Sequence, residues 1–258
     1  MDIGDFPGSD PSNTLKPVPV YYEVSWSILS TIGIANTLFG LVIVAITSLT
    51  PVVVVPIVCS MACALANGLC YYAFYTYNPL VNRAIACVFA DLFWLVQEAG
   101  LSFYSYAILR RVLHDKQRLI FLTIFWSCIF CLITLRAAVM ALRAQSILFF
   151  KVNYQSQVVD VHIAYFVMIA VLECVSAFFL LRKFATARST SMKAALQTGL
   201  IQYLLRSTEV RVALLSLIGI TRAVTYSFQS TAQSAASVAS QVDRFAYAME
   251  CMFPIILS

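Results

Sequence analysis

The chain has 258 residues, 61% of them hydrophobic and 11% charged, with a net charge of +5 and a mean hydropathy of +0.84. Soluble domains carry about 45–50% apolar and about 25% charged residues, so an ordinary water-soluble globule is excluded and an all-α, polytopic membrane protein is indicated. The positive balance does not point to nucleic acid, because no basic, aromatic-interleaved soluble surface exists to use it; it is read as membrane topology.

Residues 1–23 are a polar N-terminal segment in which Asp2, Asp5, Asp10 and Glu23 stand against a lone Lys16. They lack the basic start and small-residue cleavage site of a signal peptide, so the first span is expected to act as an uncleaved insertion signal. Apolar run length and bounding charges then predict spans near 24–48, 51–75, 84–109, 119–142, 162–181, 210–229 and 235–258. These form a seven-transmembrane-helix bundle occupying 24–258. Between the third and fourth spans lie Arg110, Arg111, Lys116 and Arg118, and between the fifth and sixth Arg182, Lys183, Arg188, Lys193 and Arg206; the opposite side has Arg83, Arg143 and Lys151. The positive-inside bias puts the N-terminus outside or in the lumen and the C-terminus in the cytosol, and the expected home is the endoplasmic reticulum.

Two connections say more than orientation. In 189–206, Met192, Ala195, Leu196, Gly199, Leu200 and Tyr203 recur at helical spacing, which fits a cytosolic interfacial helix or a cytosolic extension of the sixth span. Tyr71, Tyr72, Phe74, Tyr75 and Tyr77, just ahead of Asn78-Pro79, read as an aromatic belt at the outer interface. All eight cysteines fall in apolar runs, where free thiols behave as small hydrophobes. Cys128 and Cys131 form a C-x-x-C, but no second cysteine pair is near and the histidines are His114 and His162 alone, so no metal and no cofactor is assigned.

The informative residues are ionisable groups within or beside the spans: Asp91, Glu98, Arg136, Glu173, Arg222, Asp243, Arg244 and Glu250. An unpaired charge there costs at least about 2.5 kcal/mol on insertion scales, so these groups are expected to face one another or a wet cavity. Five carboxylates meet three arginines. A desolvated acid without a cationic partner holds its proton near neutrality and is a potential general acid. Spacing adds a pattern. The third span reads Asp91-Leu92-Phe93 with Glu98 following, the seventh reads Asp243-Arg244-Phe245 with Glu250 following, and both are D-x-F-x-x-x-x-E. An i, i+7 pair shares one helix face. Asn67 and Arg222 precede the two aspartates by 24 and 21 positions, so spans two and three echo six and seven as in a three-plus-one-plus-three repeat. Chance similarity of apolar helices is the rival reading.

The candidate catalytic acids are therefore Glu98, Asp91, Asp243 and Glu250. Glu98 is singled out because Trp94 lies one turn before it, Gln97 sits beside it as an amide partner, and no arginine is expected at its depth. Trp94, Tyr106, Tyr226 and Tyr247, with Arg136 and Arg222, are the candidate groups for binding a lipophilic small molecule. Aromatic faces stabilise a cation by about 0.5–2 kcal/mol, so acids amid aromatics suit carbocation chemistry. Packing is the bland alternative for each ring, and a structural hydrogen bond is the alternative for Glu98.

Three classes fit such a bundle. A rhodopsin-like receptor would show an acid-Arg-aromatic triplet ending the third span and Asn-Pro-x-x-Tyr in the seventh, where this chain has Ile108-Leu109-Arg110-Arg111 and Met252-Phe253-Pro254. A retinal opsin is excluded, because Lys16, Lys116, Lys151, Lys183 and Lys193 all lie outside the predicted spans. A transporter of the three-plus-one-plus-three type has the repeat in its favour but lacks a proline-glutamine pair. The third class is a membrane enzyme. In size, span count, sparse loops and intramembrane acids the chain resembles the fungal integral-membrane terpene cyclases of meroterpenoid pathways. That family places one acid in an early span, within a Trp-Glu pair, and another in the last span. This sequence has no Trp-Glu dipeptide, so the acids offered here stand on the argument from burial alone. The resemblance implies protonation of an epoxide on a prenylated compound, then cyclisation without metal or organic cofactor, in secondary metabolism.

Overall fold

The computed structural model describes residues 25–47, 50–75, 78–148, 155–193, 213–214, 216–225, 227–228 and 238–257, with no strand among them. The helices are α1 (Ser25–Ile46), α2 (Pro51–Tyr75), α3 (Leu80–Val112), α4 (Asp115–Leu148), α5 (Gln155–Lys193), α6 (216–225) and α7 (Val238–Leu257). Five of them, α1 to α5, are long and apolar enough to cross a membrane, which makes this a multi-pass membrane chain. The predicted interfacial stretch falls outside the described residues beyond 193, and 189–193 close α5.

Prolines fall inside α2, at Pro56, and α7, at Pro254; others stand where a helix begins. Pro51 opens α2 at the first helical position, where its missing N–H is no loss. Pro79 precedes α3. At 33 and 34 residues, α3 and α4 extend about 50 Å at 1.5 Å per residue and overrun the apolar core of a bilayer. Both exceed their predicted limits of 84–109 and 119–142, since the arginine-bearing flanks are good helix formers. One consequence is a correction: Arg143, assigned from sequence to an outer loop, belongs to α4 and is buried. The turn between α3 and α4 is only Leu113-His114. Leu113 N–H donates to the Leu109 carbonyl at 2.9 Å, and Asp115 takes φ 50°, a left-handed conformation that a short polar side chain tolerates.

The packing is inverted relative to a soluble protein, with apolar side chains outside and charged ones within. Along α3, Ile85, Phe89, Leu92 and Val96 face outward, while Asp91, Trp94, Glu98, Ser102 and Ser105 are buried on the opposite side. Along α4, Phe121, Phe125, Ile129, Leu132, Arg136, Val139 and Arg143 form the buried stripe at spacings of three and four. Short α7 follows the same rule: Asp243, Ala246, Tyr247, Glu250 and Cys251 point in, and Val242, Phe245, Met249 and Met252 point out.

α3 is central, packed against α2, α4 and α5, while α1 packs on α2 and α7. The α1–α2 contact is made by small residues. A β-carbon on Gly33 would lie 2.6 Å from the Ala64 nitrogen, so only glycine permits this approach. Ser30 Oγ donates to the Ala64 carbonyl at 2.8 Å nearby. Asn36 Nδ2 reaches from α1 to the Cys251 carbonyl of α7 at 3.0 Å, one turn ahead of Pro254, which interrupts the hydrogen-bond ladder there. Of the predicted aromatic belt, Tyr71 and Tyr72 are exposed at the end of α2; the side chains of Tyr75 and Tyr77 lie outside the described residues.

Candidate functional site

The i, i+7 spacing does what helical geometry requires of it. Asp91 and Glu98 lie on one face of α3 and Asp243 and Glu250 on one face of α7, and all four are buried. From α4, Arg136 and Arg143 repeat the same seven-residue step. From α6, Arg222 projects between α3 and α7.

These side chains form a continuous line of alternating charge. Arg143 Nη1 lies 2.8 Å from Asp91 Oδ1, and Arg136 Nη2 lies 3.3 Å from the same oxygen. Arg136 Nε also donates to the Asp91 backbone carbonyl at 3.0 Å. Arg136 Nη1 is 3.7 Å from Glu98 Oε2. Arg222 Nη1 then takes both Glu98 Oε1 at 2.9 Å and Glu250 Oε2 at 2.6 Å, and its Nε lies 3.6 Å from Asp243 Oδ1. Thr225 Oγ1 adds a hydrogen bond to Asp243 at 3.3 Å. Charge-assisted bonds of this kind are about twice as strong as neutral ones.

The line is lopsided. At the Asp91 end two guanidiniums serve one carboxylate. At the other end the Arg222 guanidinium reaches Glu98, Asp243 and Glu250 alike, with Arg136 assisting Glu98 at longer range. Several buried polar atoms keep capacity to spare: among the described residues Asp91 Oδ2, Glu98 Oε2, the Tyr165 hydroxyl and Arg222 Nε have no hydrogen-bond partner.

Aromatic rings cover the cations. Arg136 stacks over Trp94 at 5.4 Å and Tyr165 at 5.0 Å, and Arg143 over Trp94 at 5.7 Å. Arg222 lies over Phe166 at 4.2 Å and Tyr247 at 4.9 Å. The Tyr247 hydroxyl is fixed in turn by Trp94 Nε1 at 2.8 Å, Asn67 Nδ2 at 3.0 Å and Gln97 Oε1 at 3.1 Å. At the far end His162 Nδ1 meets the Val158 carbonyl at 2.9 Å. A carbonyl only accepts, so Nδ1 carries the proton and Nε2 accepts from Arg143 Nη2 at 3.4 Å.

Against the sequence expectations, Asp91, Glu98, Asp243, Glu250, Trp94, Arg136, Arg222 and Tyr247 all come together in this one cluster. Glu98 is not the acid without an arginine, because α6 brings Arg222 to its depth. Gln97 does not hold Glu98; it bonds Tyr247 and, at 3.4 Å, the Cys251 sulfur. Tyr106 is elsewhere, in an aromatic group with Phe103, Phe125 and Trp126. The side chain of Tyr226 lies outside the described residues. Arg143, His162, Tyr165 and Phe166 were missed. The signal for Arg143 was available, since it repeats the Arg136 position two turns on.

No family model, curated protein or solved structure matches the chain.

Proposed function

We propose that this chain is a seven-span membrane enzyme, with its N-terminus in the lumen of the endoplasmic reticulum and its C-terminus in the cytosol, that donates a proton to a lipophilic substrate at the Arg222 end of the charge line. The observation that carries this reading is that Glu98, Asp243 and Glu250 all lie within 3.6 Å of the Arg222 guanidinium. Three carboxylates that close repel one another, and a proton shared among them relieves the repulsion. Such a proton is available to a basic oxygen on a bound molecule.

In the reaction suggested by the cyclase resemblance, the shared proton goes to the oxygen of an epoxide on a prenyl chain. The C–O bond opens to leave a hydroxyl and a carbocation, a neighbouring double bond attacks that cation, and the cyclised cation loses a proton to the carboxylates, which restores the shared proton. Glu98, Asp243 and Glu250 hold and return the proton, Arg222 orients them, and Asp91 anchors Arg136 beside Glu98. The rings of Trp94, Tyr165, Phe166 and Tyr247 already cover the protein's own guanidiniums, so their role in this reading is to exclude water and fix Arg136 and Arg222. The orientation is supported by Arg110 and Arg111, which close α3 and flank the short turn into α4.

Glu98→Gln or Asp243→Asn should abolish product formation in microsomes given an epoxy-prenyl precursor while protein level stays normal; normal turnover in both variants overturns the assignment. A second reading, a proton-coupled transporter of three-plus-one-plus-three type, is favoured by the matched acid pairs of α3 and α7 that Arg222 joins. It predicts proton-driven flux of an unaltered solute into sealed vesicles, lost in the same variants.

A further inference from the structure

Toward the cytosolic side of the charge line lies a second buried polar group that the proposed reaction does not use. Glu173 of α5 is 1% exposed, and Ser102, Ser105 and Ser176 are fully buried. Ser102 Oγ donates to Glu173 Oε1. α3 and α5 run in the same direction, Asp91 and Arg143 lying by His162 at one end and Ser102 by Glu173 at the other, a register that puts Ser105 and Ser176 at the same level one turn later. α6 supplies the third wall. It runs antiparallel to α5, with Arg222 over Phe166 and Gly219 against Ala170, where a β-carbon would lie 3.7 Å from the Ala170 Cα. The next step of that register brings Ser216 to the level of Glu173.

The oxygen atoms there are under-used. Among the described residues, Glu173 Oε2 and the hydroxyls of Ser105, Ser176 and Ser216 are buried without a hydrogen-bond partner, and none of the ion pairs includes Glu173. A lone carboxylate in this setting is costly unless a positive charge joins it. A proton alone would neutralise Glu173 but leave the other three hydroxyl oxygens unsatisfied.

We infer that Glu173, Ser105, Ser176 and Ser216 form a binding site for a small monovalent cation of the sodium class, held between α3, α5 and α6. The donors are all hard oxygens, the type that hard, weakly polarisable cations prefer. A single positive charge balances the single carboxylate, whereas a divalent ion would leave a buried surplus. The site shares no residue with the Arg222 cluster and does not depend on the enzymatic reading.

The test is thermal unfolding of the purified full-length protein in lipid nanodiscs, in sodium chloride and in choline chloride of equal ionic strength. Sodium at about ten times its dissociation constant should raise the melting temperature by about 3–5 °C. Glu173→Gln should abolish the shift, Ser105→Ala with Ser176→Ala should at least halve it, and Glu98→Gln should leave it intact. Equal melting temperatures in the two salts, or an undiminished shift in Glu173→Gln, overturn the site. Should Glu173→Gln fail to fold, an undiminished shift in the double serine variant does so instead.

Discussion

Between α1 and α2 the chain brings two backbones together through Gly33, Ser60 and Ala64, with a serine hydrogen bond across the contact and no charge. Between α3, α4, α6 and α7 contact runs instead through seven ionisable side chains, three of them arginines under aromatic rings. In a bilayer the lipid tails are as apolar as leucine, so helices associate through close packing and hydrogen bonds, and the first contact needs no other explanation. The second does. Well-packed apolar residues in place of a buried ion pair are often neutral or stabilising by 1–4 kcal/mol, so stability alone does not account for a charged centre. Ionisable groups at such depth mark function.

The contrast can be broken at three points. The largest effect is expected from Arg222→Ala, which takes one guanidinium away from Glu98, Asp243 and Glu250 together; losing one partner of a buried pair costs about 3–5 kcal/mol. Folded, monodisperse protein should disappear from size-exclusion chromatography in detergent. Combining Arg222→Met with Glu98→Gln and Glu250→Gln should restore accumulation but not activity. If it restores both, the charged centre is structural. Gly33→Leu comes next, because its β-carbon would lie 2.6 Å from the Ala64 nitrogen. Overpacking costs about 1–3 kcal/mol, read as a lower melting temperature with turnover preserved in the surviving protein. Smallest is Phe245→Ala, whose side chain is 64% exposed on the lipid side of α7. It should shift stability by no more than about 0.5 kcal/mol, and a larger loss would mean that α7 faces protein there.

What sequence made legible follows helical periodicity. Five apolar runs announce α1 to α5, and the seven-residue step in Asp91/Glu98 and Asp243/Glu250 announces one inward face on each of α3 and α7. The same arithmetic sorts the aromatics. Phe93 and Phe245 come two residues after an aspartate, about 200° round the helix, so proximity in sequence carries them away from the acids. Phe93 is only partly buried and Phe245 faces out. Trp94 and Tyr247, at three and four residues, stay with them. Tyr106 is two turns past Glu98 and about 80° round from it, which delivers it to the α3–α4 core. Partners across helices were not legible, because periodicity gives a residue's face and not the height or identity of what stands opposite. Arg143 was lost to an early helix end, and Tyr165 and Phe166 gave no sign that guanidiniums would lie on them.

The separation of Arg222 from Glu98 along the chain has a consequence for biogenesis. Arg136 and Arg143 follow Asp91 within 45 and 52 residues, so that acid acquires its counterions as soon as α4 enters the membrane. Glu98 waits 124 residues for Arg222, about 6–25 s at the ribosome's 5–20 residues per second. α6 and α7 in turn carry charges that suit hydrocarbon poorly until α3 receives them. Docking of the last two helices onto α3 is thus a templated event, and a chain that ends before α6 leaves Glu98 without its Arg222 contact.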